Sequence, residues 1–98
     1  MDQGHIPRFI TPGVQALPEN LILLMWALLD AMEDVQKDYL QIFKLYPAEN
    51  GLLAVEHYQE QPEYHDPIFY VKNCPLEANT VYIIDEKTQQ TMCLPEER

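Results

Sequence analysis

Leu21-Ile22-Leu23-Leu24-Met25-Trp26-Ala27-Leu28-Leu29 is an unbroken apolar run inside a chain of 98 residues with a formal charge of −10. A bilayer-spanning helix needs about 20 apolar residues, so this run predicts a helix covered by protein and no membrane partner. At about 100° per residue, Leu21, Leu24, Met25, Leu28, Met32 and Val35 share one face, with Ile22 and Leu29 at its margin. Glu19, Asp30, Glu33, Asp34 and Lys37 fall opposite. Leu23, Trp26 and Ala27 also project there, at i, i+3 and i+4, as one apolar patch on a charged face. Leu17-Pro18-Glu19-Asn20 opens the helix, since proline suits its first position and Glu19 the positive end of its dipole. The predicted helix runs from about Pro18 to about Asp34.

Beyond Lys37 the period becomes alternating and β-branched and aromatic residues dominate. Asp38 to Tyr46 places Leu40 and Ile42 on one side and Tyr39, Phe43 and Leu45 on the other, so it reads as a central strand. Asn50-Gly51 supplies the positive φ angles of a hairpin turn, and Leu52 to Gln61 returns antiparallel. Ile68 to Lys72, Thr80 to Asp85 and Thr88 to Leu94 complete the strands, the last two as a hairpin. Before the helix, the stretch Ile6 to Gly13 sets a short β-favouring segment between turn residues and suggests an edge strand or an ordered arm, with residues 1–7 as a flexible arm. A helix followed by hairpin-connected strands predicts one α+β domain over residues 1–98. In it the main helix packs on an antiparallel sheet of about five strands.

Acids outnumber bases sixteen to six, and the bases are scattered singly. No phosphate-binding stripe results, so direct nucleic-acid binding is not expected, and a basic protein surface is the favoured partner. The start carries no basic segment followed by an apolar stretch, so no secretory signal is read and the expected compartment is the cytoplasm. There Cys74 and Cys93 are expected to be reduced.

The chain contains no serine, and Gly4, Gly13 and Gly51 are isolated. Serine nucleophiles, P-loops and dinucleotide fingerprints are therefore excluded. Cys74 or Cys93 with His57 or His65 is a conceivable nucleophilic pair, without a supporting motif. Glu56 to Asp66 holds four acids, two histidines and two tyrosines, residue types that include metal ligands. However, His57 on a strand points away from Glu56, Tyr58 and Glu60, and Pro62 breaks the alternation before His65. No metal and no cofactor are expected.

Several segments taken together resemble one family. They are Arg8-Phe9-Ile10-Thr11 with Gly13-Val14, Leu24-Met25-Trp26, and Asp38-Tyr39-Leu40-Gln41-Ile42-Phe43. The series continues with His57, Gln59, Glu60, Pro62 and Tyr64, and with Thr91-Met92-Cys93-Leu94-Pro95-Glu96-Glu97. In order and spacing they resemble the bacterial domain-of-unknown-function family numbered 960, described as staphylococcal proteins of unknown function. Cys93 departs from it, standing where an aliphatic residue is expected. The resemblance implies a cytoplasmic α+β domain and transfers no catalytic residue; its phage and mobile-element settings imply an inhibitor or regulator of host machinery.

The reading that follows is a non-enzymatic protein-interaction module. Its expected surfaces are the patch Leu23, Trp26 and Ala27, facing a protein partner or a second copy, and an acidic surface of Glu56, Glu60, Glu63 and Asp66. One alternative is a mobile-element-encoded acidic inhibitor whose carboxylates mimic nucleic acid, of anti-restriction or anti-CRISPR type. Another is a small metal-dependent hydrolase using His57, His65 and neighbouring carboxylates.

Overall fold

The computed structural model describes residues 6–98; of the arm expected over residues 1–7, only residues 6 and 7 are among them. β1 (Arg8–Ile10) leads into a one-turn helix α1 (Pro12–Gln15), and the main helix α2 (Glu19–Asp30) follows. β2 (Leu40–Pro47) and β3 (Leu53–Gln59) form a hairpin whose connection places Asn50 and Gly51 at φ 60° and 73°. Both positive angles match the Asn-Gly expectation. β4 (Tyr64–His65), β5 (Phe69–Val71), β6 (Asn79–Glu86) and β7 (Gln89–Cys93) complete a seven-stranded sheet in the order β1-β7-β6-β2-β3-β4, with β5 also on β3.

Two expectations are corrected. The sheet has seven strands rather than about five, and it is mixed, because β1 pairs with β7 in parallel. Alternation within one segment cannot reveal this pairing, which joins residues more than 80 positions apart. The helix also ends at Asp30, not Asp34. Asp30, Glu33 and Asp34 would crowd the negative end of its dipole, and no basic residue lies in the last turn to offset them. Met32 and Val35 still pack on the core after the chain unwinds.

Residues opposite one another in register share a face. Phe43 faces His57 and Val81, Leu45 faces Val55, and Ile83 faces Met92. These side chains, with Leu53, meet Leu21, Met25, Leu28 and Leu29 of α2 in one cluster. Each such buried side chain contributes roughly 1.5–3 kcal/mol from apolar transfer. Leu24, expected in the same stripe, is only half-buried. The other face carries Ile42, Tyr58 and Tyr82 in one cross-strand row, and Phe9, Thr91, Ile84 and Leu40 in the next. α2 does not cover that face; the 3-10 turn Pro95–Glu97 lies against β6, and Arg98 beyond it sits over Tyr82. The central position of β2 is as expected.

Glu97 ties both ends of the described chain together. Its carboxylate accepts from Thr11 Oγ1 at 2.5 Å, from the Gly13 N–H at 2.8 Å and from the Leu94 N–H at 3.0 Å. Gly13 is required here, because a Cβ would stand 2.6 Å from Leu94 and 2.8 Å from the Glu97 carboxylate. The hydroxyl and the two N–H groups hold the Glu97 pKa below the usual glutamate range. A depressed carboxylate pKa means that the unfolded chain takes up the proton first, so stability falls as pH drops through the folded pKa. In melting curves against pH, the wild type should lose Tm below about pH 4.3. Glu97→Gln should be less stable at neutral pH and show a flatter profile there; an unchanged acid limb would refute the clamp.

Candidate functional site

The residues with most chemistry gather where β2, β3 and β4 meet. Gln41, His57 and Gln59 lie on the helix-covered face, and each is almost fully buried. Their positions follow from parity: Gln41 alternates with Phe43 and Leu45, while His57 and Gln59 alternate with Leu53 and Val55. Asp66 reaches them through a one-residue bulge. Between the pairs Tyr58–His65 and Val55–Phe69, the three residues Asp66, Pro67 and Ile68 oppose only Glu56 and His57. The Asp66 N–H still bonds the His57 carbonyl at 2.9 Å.

His57 Nδ1 lies 2.6 Å from Asp66 Oδ2, and Nε2 lies 2.8 Å from Gln41 Oε1. Tyr64 donates its hydroxyl to Asp66 Oδ1 at 2.6 Å. Gln41 Nε2 donates to the Asp38 carbonyl at 3.0 Å and to Gln59 Oε1 at 2.7 Å. Gln59 Nε2 donates to the carbonyls of Gln36 and Pro62 at 2.9 and 2.7 Å, and its oxygen also accepts from the Asp38 N–H at 2.9 Å. These carbonyls fix which way both amides turn. Phe43 stacks on the His57 ring with centroids 4.5 Å apart.

A histidine between a carboxylate and a polar group resembles a general-base arrangement, but here both ring nitrogens face protein atoms. The ring has no exposed surface, so no substrate proton can come within the distance a base requires. Burial pushes the His57 pKa down, against the hydrogen bond and charge of Asp66, which raise it. A neutral ring that donates from Nδ1 to the carboxylate sets its Nε2 lone pair against the Gln41 oxygen, so burial favours the neutral ring while the Gln41 oxygen favours a proton on Nε2. Because the unfolded chain protonates more readily, His57 contributes stability that is lost as pH falls below about 6.5. The wild type should therefore begin to lose Tm in this higher window, before the Glu97 limb; flat stability from pH 7 to 5 would contradict the burial effect.

The residues expected from sequence are placed unequally. Glu60 and Glu63 are exposed beside a hollow of about 440 Å³ that Tyr58, Tyr64 and His65 also line. Asp66 is not a free carboxylate, since His57 and Tyr64 occupy its two oxygens. Glu56 is half-buried, 3.4 Å from His65 Nε2. His57 and His65 point to opposite faces of the sheet, because His65 is opposite Tyr58. They cannot chelate one ion, and among the described residues no three histidine, cysteine or acidic side chains converge as ligands. Cys74 belongs to the core beneath α2, whereas Cys93 is buried opposite Tyr82 on the other face. Burial pushes both thiol pKa values up, which weakens either as a nucleophile.

On the helix, Leu23 and Ala27 are exposed, and Trp26 is half-covered. The Arg8 guanidinium lies 4.5 Å over the indole, pairs with Asp30, and receives further support from Gln90 through Nε at 2.8 Å. The arm thus covers Trp26 with Arg8; Phe9 lies on the sheet face that α2 leaves free, half exposed. The buried glutamines were not anticipated as site residues. The available signal was Gln41 at the parity of Phe43 and Leu45.

The family model described as staphylococcal protein of unknown function (DUF960) matches residues 7–97. Among curated proteins none matches the chain. A crystal structure of a protein of unknown function from Enterococcus faecalis is similar with a TM-score of 0.80, over 95% of this chain and 91% of that one. Its sequence identity of 22% makes this a likeness of fold.

Proposed function

We propose, from the premise that the chain belongs to the family described as staphylococcal protein of unknown function, that it is a non-enzymatic protein-interaction module. The observation that carries this reading is exposed aromatic surface around the sheet face that α2 leaves free; the middle of this face is closed, with Ile42 and Cys93 buried and Arg98 over Tyr82. Phe9 on β1 is 50% exposed and Tyr70 on β5, at the opposite edge, 57%, while Tyr39 just before β2 is 56% exposed and accepts from Arg98; exposed apolar surface rimmed by polar residues is the usual mark of a binding surface. Tyrosine suits such a role by joining a large apolar body to a polar tip. The enclosure of His57 supports the absence of catalysis. On the helix patch Arg8, paired with Asp30, lies over Trp26, while Leu23 and Ala27 remain exposed. A net charge of −10 favours a basic partner by electrostatic steering. Action in a reducing compartment, the cytoplasm, is supported by two buried thiols on opposite sides of the sheet. No helix among the described residues is long and apolar enough to cross a membrane.

The nucleic-acid mimic draws little from this geometry, because Asp66 is engaged internally and Glu56 faces His65. Capture with resin-bound protein tests the leading reading. A partner held by wild type should be lost from Phe9→Asp/Tyr39→Asp and kept by Leu23→Glu. Loss on Leu23→Glu alone would move the interface to α2, and absence of any specific protein partner would overturn the reading.

A further inference from the structure

The edge of the sheet formed by β4 and β5 is guarded unevenly. Natural sheets protect edges with proline, bulges and charge, since an unpaired row of N–H and C=O groups invites another strand. Here Pro67 and the bulge at Asp66–Ile68 block the middle of the edge. Ile68, Phe69, Tyr70 and Val71 then follow without a charge until Lys72. Among the described residues β5 pairs only with β3, and no strand lies on its outer side. Ile68, Phe69 and Tyr70 are 37%, 41% and 57% exposed. Val71 packs against the core, whereas Phe69 and Tyr70, on opposite faces of the strand, keep large apolar surface exposed.

We propose that the β5 edge binds an extended, positively charged segment of another protein by strand addition, a mode that rests on the protein-binding reading above. Strand addition draws affinity from main-chain hydrogen bonds and selectivity from hollows that take alternate side chains. Hollows lie at both ends of this edge. One is lined by Glu60, Glu63 and Tyr64, the other by Glu49, Leu52 and Tyr70. Their carboxylates suit lysine or arginine in the incoming segment. A second copy of the chain would bring another −10 charge against the first, whereas a basic segment gains from the same field.

Three ten-residue peptides test the mode: alternating valine and lysine, the same peptide N-methylated at alternate residues, and alternating valine and glutamate. The lysine peptide should bind, slow amide exchange within Phe69–Val71, and bind about tenfold more weakly on raising salt from 50 to 200 mM. The N-methylated and glutamate peptides should bind at least tenfold more weakly. Phe69→Lys/Tyr70→Lys, which adds the charges other edges carry, should abolish binding with an unchanged melting curve; if that variant unfolds, the N-methylated peptide decides. Equal binding of the N-methylated peptide would overturn strand addition and leave the protein-binding reading standing. Binding of neither parent nor variant peptides, or a dimer dissolved by the same lysines, would overturn the proposal outright.

Discussion

Gln59→Leu should cost the fold roughly 3–5 kcal/mol, although leucine nearly matches glutamine in volume and is the more apolar residue. The amide at position 59 serves four partners: the Asp38 N–H, Gln41 Nε2 and the carbonyls of Gln36 and Pro62. Each buried group left without a partner costs about 1–3 kcal/mol, and the losses are less than additive because the outer carbonyls can turn to water. Gln41 is the critical casualty, because its Oε1 faces His57 Nε2 only while Gln59 and Asp38 hold its nitrogen. Urea unfolding with an unchanged m-value would measure the effect. A loss under about 1 kcal/mol would show that the glutamine ladder is decorative.

Phe43→Ala should cost about 3–5 kcal/mol, the range for removing a buried aromatic ring. Phe43 has no exposed surface, lies on the central strand between Val81 and His57, and stacks on the imidazole. The hole would therefore open beneath the one titratable ring of the core. Water entering it would weaken the burial that pushes the His57 pKa down, so the loss between pH 7 and 5 should become shallower than in wild type. Calorimetry at these two pH values separates the outcomes. A large destabilisation with an unaltered pH slope would show that the ring fills space without governing the histidine.

The legible part of this fold was local. Alternation located a central strand at Asp38–Tyr46 and the closing hairpin from Thr80, and Asn50-Gly51 located the turn, because these signals act over a few residues. The main helix was legible for the same reason, but not its end, where chain charge rather than hydrophobic period decides. What stayed hidden depends on neighbours distant in sequence. The two-residue β4 exists only because β3 offers it an edge, and β1 joins the sheet in parallel through β7. The site was hidden likewise. Gln41 and Gln59 carry no local mark of a site until the register places them opposite one another beneath α2, and Asp66 reads as a surface acid until the bulge turns it toward His57. Leu23, Trp26 and Ala27 formed the patch the helical period requires, but Arg8 over Trp26 required knowledge of where β1 docks.

The parallel contact of β1 with β7 also sets how the molecule carries load. Tension that draws Ile6 one way and Leu94 the other acts along these two strands in opposite senses. It therefore strains the Gln90–Pro7 and Thr11–Met92 main-chain bonds together with the Arg8–Gln90 side-chain bond, instead of opening them one after another. The Glu97 carboxylate, gripping Thr11 and Gly13, lies across the same joint. In a force spectrometer the joint should yield as a single mechanical clamp, and Glu97→Gln should lower the rupture force more than a substitution at the β5 edge.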